Sequence, residues 1–176
     1  GLPSARKIGA ELLGLDVSEV IAGGNSSLTM MHQAVQYAWM LGPDGKSAWR
    51  NEANIKFLCP SPGYDRHFAI CEHFGIEMIV IAMDDDGPDV EQVQRLVAAD
   101  ASIKGMWCVP KYSNPTGVTY SDNVVKALAS MKTAAPDFRL FWDNAYVVHD
   151  IAETPDPLLN ILKAAAEAGH PNRPLV

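Results

Sequence analysis

An aspartate and a tyrosine follow an apolar run in the last third of the sequence. Residues 138–142 read Phe-Arg-Leu-Phe-Trp, and Asp143-Asn144-Ala145-Tyr146 comes next. A carboxylate at the end of a buried strand needs a cation or hydrogen-bond donors, because its desolvation is otherwise costly. Asp143 is therefore a candidate for binding a ring nitrogen of a heterocycle, and the Tyr146 hydroxyl for binding a ring oxygen. A plain helix N-cap is the alternative interpretation of Asp143.

A second candidate is the amide of Asn114 in the sequence Asn114-Pro115-Thr116-Gly117. Pro115 forces the residue before it into an extended conformation, and Gly117 ends the turn, so the amide is held at a fixed angle. An amide can donate a hydrogen bond to a phenolate or carboxylate oxygen. Taken alone, this sequence is also that of a common turn.

A glycine-rich segment, Gly23-Gly24-Asn25-Ser26-Ser27, precedes a predicted helix. Glycines let a ligand approach the backbone, and the first turn of a helix offers free N–H groups and the positive end of its dipole. Gly24, Asn25 and Ser26 therefore suit one phosphate group. The spacing matches neither the dinucleotide-binding nor the P-loop glycine motif. A capped helix after a glycine turn is the alternative.

An aromatic residue, Tyr64, follows Pro62-Gly63 at the start of another predicted helix. Its ring could lie flat over a planar heterocycle, where stacking contributes about 0.5–1.5 kcal/mol beyond area burial. Packing of a tyrosine at a helix start explains the residue equally well.

Strands and helices alternate along the chain and must position these four segments. Apolar patterns predict strands over residues 20–22, 55–59, 76–82, 103–109 and 138–142, with a further strand beginning at residue 174. Helices are predicted over residues 3–13, 27–41, 64–74, 88–99, 121–133 and 157–169. This alternation predicts an α/β fold, a three-layer α/β/α sandwich with a mainly parallel mixed sheet. Ligands of such sheets bind at the carboxyl ends of the strands, where the four segments lie.

Composition limits the classes of function. The 176 residues suit a single domain, and 21 acidic against 14 basic residues give a net charge of −7. An acidic surface repels phosphate backbones and anionic lipids, so we expect no nucleic-acid and no membrane partner. Three scattered cysteines predict reduced thiols in a cytoplasmic protein, and neither the histidines nor the cysteines have metal-ligand spacing, so no metal site is predicted.

Taken together and in this order, the segments resemble the large domain of the class I/II, fold-type I, pyridoxal-phosphate-dependent aminotransferases. The resemblance is closest to a bacterial aspartate aminotransferase branch and covers almost the whole chain. It rests on five motifs: Gly1-Leu2-Pro3 with Arg6, Gly23 to Leu28, Pro62-Gly63-Tyr64, Asn114-Pro115-Thr116-Gly117 and Asp143-Asn144-Ala145-Tyr146.

The resemblance implies a role for each candidate residue toward pyridoxal 5'-phosphate. Gly24, Asn25 and Ser26 would hold the phosphate, and Tyr64 would stack on the ring. Asn114 and Tyr146 would bond the phenolic oxygen, and Asp143 would pair with the protonated ring nitrogen, which keeps the ring an electron sink. The resemblance further implies a cis peptide bond before Pro62, before Pro115, or before both.

The resemblance also implies a lysine that holds the cofactor as a Schiff base, and none of the eight lysines of this chain lies in the expected serine-rich segment. The eight are Lys7, Lys46, Lys56, Lys104, Lys111, Lys126, Lys132 and Lys163. We therefore expect residues 1–176 to be a truncated central part of the large domain, without the small domain and inactive alone. The parent enzyme is expected to be a homodimer that moves an amino group between an amino acid, such as aspartate, and a 2-oxo acid.

Three alternatives stay open at this point. Other enzymes share the scaffold, including carbon–sulfur lyases, racemases and decarboxylases that act on amino acids. A transcription regulator can use the same fold as its effector domain. A degenerate homologue would bind no cofactor.

Overall fold

The computed structural model describes residues 1–45 and 47–176, so Lys46 lies outside the described residues. The helices are α1 (Pro3–Leu13), α2 (Ser27–Leu41), α3 (Asp65–Phe74), α4 (Val90–Ala99), α5 (Asp122–Ser130) and α6 (Ile161–Glu167), with short 3-10 helices at Val17–Glu19 and Trp49–Asn51. The strands are β1 (Lys56–Ser61), β2 (Glu77–Asp84), β3 (Gly87–Pro88), β4 (Ile103–Cys108), β5 (Arg139–Trp142) and β6 (Pro174–Leu175).

The strands form one sheet in the order β3-β2-β1-β4-β5-β6. All neighbouring pairs are parallel except β2 and β3, which are antiparallel. Strands β4 and β5 are mostly apolar and are buried along their whole length, as expected for central strands covered on both faces. The predicted α/β class and mainly parallel sheet are therefore confirmed.

Each face of the sheet packs against its own set of helices. Alternate side chains point to opposite faces, so Phe57 and Cys59 pack with α2 and α3 while Leu58 packs with α4, α5 and α6. The α2–α3 face is rich in aromatic rings. Gly105 on β4 has a direct part in this packing, because a Cβ there would lie 2.5 Å from the ring of Phe57. The two helical layers and the sheet give the predicted three-layer sandwich.

One predicted strand is wrong. Val20 is extended, with φ −105° and ψ 129°, but residues 20–22 pair with no strand among the described residues. Ile21 is 82% exposed. An apolar triplet with two β-branched residues has the propensity for a strand, yet without a neighbouring strand its backbone groups have no ladder to join.

Two helix starts and one short strand also differ from the sequence prediction. Helix α4 begins at Val90 because the Asp89 side chain caps it, and the preceding Gly87–Pro88 pairs antiparallel with Met83–Asp84 instead of opening the helix. Helix α6 begins at Ile161 rather than at residue 157, because the Asn160 side chain accepts hydrogen bonds from the N–H groups of Leu162 and Lys163.

Both peptide bonds for which a cis form was predicted, Ser61–Pro62 and Asn114–Pro115, are cis. Ser121 caps α5 through a hydrogen bond from the N–H of Val124. Within the part of the chain that is described, no helix combines the length and the apolar character needed to cross a membrane.

Candidate active site

Asp143 lies directly after β5 and is almost completely buried, at 4% exposure. Its backbone N–H donates to the carbonyl of Cys108 at 2.8 Å, which ties it to the end of the neighbouring strand β4. Its Oδ2 lies 3.0 Å from Nε2 of His67. An ionised carboxylate only accepts hydrogen bonds, so with Asp143 ionised the imidazole donates through Nε2.

The partner of Asp143, His67, was not identified as a site residue from the sequence. It lies in the first turn of α3 at 1% exposure, and its ring stacks on the indole of Trp107 with centroids 4.6 Å apart and an interplanar angle of 11°. Its position three residues after Tyr64 was a usable signal, because residues three apart share a helix face. The spacing between histidines was used only to look for metal ligands, and it does not reveal the pairing of His67 with Asp143.

Tyr64 is the N-cap residue of α3 and is half-buried. Its ring meets the His67 ring edge-on, with centroids 5.1 Å apart and an interplanar angle of 88°. Tyr64 follows β1, Trp107 lies on β4, and Asp143 follows β5; β4 is the strand between the other two. The structure therefore brings Tyr64 and Asp143 to one edge of the sheet, joined through His67.

Asn114 lies in a compact turn beyond the end of β4. The N–H of Ser113 donates to the carbonyl of Val118 at 2.8 Å, and the N–H of Gly117 donates back to the carbonyl of Ser113. Asn114 itself is exposed, and its amide makes no hydrogen bond within the described residues. The amide is thus free for a ligand, and its predicted bond to a ring oxygen stays a prediction.

Tyr146 lies in the turn after Asp143 and is half-buried. Its ring contacts that of His149 edge-on at 5.9 Å, and its carbonyl accepts the N–H of His149 at 3.1 Å. The neighbouring Asn144 has a buried Oδ1 with no hydrogen-bond partner among the described residues. Tyr146 makes no hydrogen bond to Asp143 in this part of the chain, so its predicted role also stays a prediction.

The glycine-rich segment forms the approach to α2. The Ser26 hydroxyl accepts the N–H of Thr29 at 3.3 Å as an N-cap, and Asn25 is exposed. A Cβ at Gly24 would meet nothing within 4 Å, so open space lies over this backbone. The segment keeps the helix N-terminus that the sequence predicted, although the preceding residues do not form a strand.

Two lysines bear on the expectation that the cofactor lysine is not among residues 1–176. Lys111, after β4, is buried and paired with Asp150 at 2.6 Å. Lys163 lies exposed on α6. Neither forms a hydrogen bond or an ion pair with Asp143 among the described residues, and the expectation about the cofactor lysine stays a prediction.

Comparisons with known proteins define the class of this fold. Crystal structures of an aspartate transaminase from Corynebacterium glutamicum and of the α-aminoadipate aminotransferase from Thermus thermophilus match it with TM-scores of 0.91 and 0.76. The first is 46% identical and covers 97% of this chain and 40% of that one. The second is 19% identical and covers 98% and 40%, and shows the fold alone.

The sequence profile described as aspartate amino-transferase matches residues 1–176, and the chain belongs to that family. A Mycolicibacterium smegmatis protein provisionally named as an aminotransferase is 55% identical over 177 residues, which is all of this chain and 41% of that protein. The aspartate aminotransferase of C. glutamicum is 46% identical over 98% of this chain and 40% of its own length. The chain thus spans about 40% of the length of the curated relatives it matches.

Proposed function

We propose that residues 1–176 form a single domain, the central, cofactor-binding part of the large domain of a pyridoxal-phosphate-dependent aminotransferase. The parent protein would move an amino group between an amino acid, such as aspartate, and a 2-oxo acid. Membership of the family and the named relatives support this proposal. We further propose that the parent protein is a homodimer located in the cytoplasm; three buried cysteines that are all free thiols agree with that location.

The observation that carries the proposal is the burial and hydrogen bonding of the Asp143 carboxylate. The side chain is 6% exposed, Oδ2 is bound to His67, and Oδ1 accepts no side-chain hydrogen bond within the described residues. A buried carboxylate with one free oxygen fits a cationic N–H donor, and a protonated pyridine nitrogen is such a donor. The residues present therefore fit pyridoxal 5'-phosphate.

The other predicted residues supply the remaining contacts. Gly24, Asn25 and Ser26 would bind the phosphate with the free N–H groups that begin α2. Tyr64, at the same edge as Asp143, would cover one face of the ring. The exposed amide of Asn114 and the hydroxyl of Tyr146 would donate to the phenolic oxygen.

When bound, pyridoxal phosphate accepts the electron pair left when an amino acid loses its α-proton. The residues of this chain would bind the cofactor and hold it in position. Asp143 retains the proton on the ring nitrogen, and His67 holds the carboxylate in position from the protein side. We expect residues 1–176 alone not to transaminate, because none of the eight lysines occupies the expected segment.

The test uses the full-length protein with Asp143→Asn, and Asp122→Asn as the control, since Asp122 is exposed on α5. An asparagine keeps the shape and loses the charge, so we expect the aminotransfer rate to fall by at least about a hundredfold. The control should keep its rate. A rate unchanged by Asp143→Asn would overturn the proposal.

A product analysis of the same reactions separates the proposal from its alternatives. Transfer of the amino group to an added 2-oxo acid is the expected result. Release of sulfide or carbon dioxide from the amino acid without that transfer would assign the parent protein to the lyases or decarboxylases instead.

A further inference from the structure

Trp107 is held from two sides beneath His67. It lies on β4 at 2% exposure, and its indole faces the imidazole at 4.6 Å with only 11° between the planes. The indole N–H donates to Sγ of Cys71 on α3 at 3.2 Å. The indole also contacts the ring of Phe141 on β5 at 4.8 Å. The indole is therefore held both by a hydrogen bond and by ring packing.

The imidazole of His67 depends on its neighbours for its orientation. Its hydrogen bond to Asp143 fixes one atom, Nε2, and the described residues offer its ring no second hydrogen bond. Rotation about that bond is limited by the indole face on one side and by the edge of the Tyr64 ring, 5.1 Å away. Flat stacking fixes the plane of a ring, which a single hydrogen bond does not.

We propose that Trp107 is a positioning residue that sets the plane of His67 and thereby the direction of the free Asp143 oxygen. The indole, anchored to Cys71, holds the imidazole flat with Nε2 on Oδ2. Oδ1 is then held in one fixed direction and would accept a hydrogen bond from a ring nitrogen. The role of Oδ1 rests on the proposed function, whereas the effect of Trp107 on His67 does not.

The surroundings of Cys71 support the anchor. A hydrogen bond from the Cys59 thiol lowers the pKa of the Cys71 thiol, burial opposes this, and the indole N–H lowers the pKa further. The anchor itself is the contact between the indole N–H and the Cys71 sulfur, in which the sulfur accepts at 3.2 Å.

The first test is the Nε2–H signal of His67 in 15N–1H spectra of the full-length protein without cofactor. The variants are Trp107→Leu, which removes the stack, and Trp107→Phe and Cys71→Ala, which keep a stacked ring but remove the anchor. Trp49→Leu is the control, because Trp49 is equally buried and donates to Asp137 rather than contacting His67. This readout reports the imidazole directly and needs no activity.

We expect exchange of the Nε2 proton with solvent to become about tenfold faster in Trp107→Leu. The two anchor variants should give an increase of about twofold, and the control should match the wild type. An unchanged signal in Trp107→Leu, or an equal change in Trp49→Leu, overturns the proposal. Should Trp107→Leu fail to fold, the anchor variants decide: an exchange rate unchanged in both overturns it.

The second test measures the dissociation constant of pyridoxal phosphate for the same proteins. We expect an increase of about three- to tenfold in Trp107→Leu and no change in Trp49→Leu. If the exchange results hold and the wild type binds no cofactor, the positioning role stands and the proposed function fails. If the wild type binds cofactor and Trp107→Leu binds it equally well, the link from Trp107 to Asp143 is overturned.

Discussion

Charged side chains are buried both at the edge of the sheet where the strands begin and at the edge where they end. The two groups differ in how many of their hydrogen-bonding atoms have a partner. At the edge where the strands begin, Lys104 on β4 bonds Asp137 at 2.8 Å and Glu52 at 3.0 Å. The second oxygen of Asp137 accepts the indole N–H of Trp49 at 2.8 Å. At the edge where the strands end, Asp143 has one side-chain partner among the described residues, His67. We call the first group the Lys104 cluster and the second the Asp143 pair.

The Lys104 cluster contributes to stability, whereas the Asp143 pair can still bind a ligand. In the Lys104 cluster the cation has two carboxylates, and both oxygens of Asp137 are bound, so the cluster has little left to offer a ligand. In the Asp143 pair one carboxylate oxygen is left for a further donor. A nearly buried carboxylate with one oxygen left for a further donor is typical of functional sites.

The largest change in stability is expected from Lys104→Met. Removing the cation leaves Asp137 and Glu52 without it, and the free energy of unfolding should fall by about 2–4 kcal/mol. Lys126→Met is the matched control, since Lys126 is exposed and lies 4.0 Å from Asp122, and it should cost less than about 0.5 kcal/mol. Denaturant unfolding measures both. A loss in cofactor affinity with no loss in stability would contradict the comparison.

His67→Leu should produce a smaller loss of stability and a functional defect. Asp143 would keep its burial without its partner, so we expect a loss of about 1–3 kcal/mol. We also expect about tenfold weaker binding of pyridoxal phosphate by the full-length protein. His73→Leu, an exposed change on the same helix, should affect neither by a measurable amount. Equal effects from the two histidine variants would show that the Asp143 pair has no special role.

The smallest effect is expected at Asp100, which is partly exposed and lies at the same edge of the sheet as the Lys104 cluster. Hydrogen bonds from Ser102 and from Lys56 lower the pKa of Asp100 to about 2 from 3.8. A lowered folded-state pKa adds stability that is present above pH 3.8 and is lost as the pH falls toward 2. Asp100→Asn should therefore cost less than about 1 kcal/mol at neutral pH, after solvent screening, and nothing once the pH is well below 2. A difference that grows on acidification would contradict this assignment.

Local sequence patterns predicted most of the architecture for physical reasons. Buried central strands such as β4 and β5 are short, mostly apolar runs, and helix starts such as Ser121 carry a side chain that caps the first turn. The strand ends could be predicted as the candidate site because Tyr64, Asn114 and Asp143 each follow such a run. These features depend on residues close together in the sequence.

What the sequence did not reveal depends on distant partners. Asp143 and His67 are 76 residues apart, and each alone is compatible with an ordinary helix or turn residue. Val20 and its neighbours have strand propensity, but a strand exists only where another strand pairs with it. The pairing of His67 with Asp143 and the absence of a partner for residues 20–22 follow from the three-dimensional arrangement, which local patterns do not encode. The Gly87–Pro88 strand is different, because it pairs with Met83–Asp84 across the turn at residues 85–86 and so depends on residues close together in the sequence.

The central claim is that the free oxygen of Asp143 binds the ring nitrogen of pyridoxal phosphate. A crystal structure of the full-length protein with pyridoxal phosphate tests it most directly. We predict the ring nitrogen at about 2.6–2.9 Å from Oδ1, with Oδ2 still bound to Nε2 of His67. A bound cofactor whose ring nitrogen lies beyond hydrogen-bonding distance of Asp143 would contradict the account.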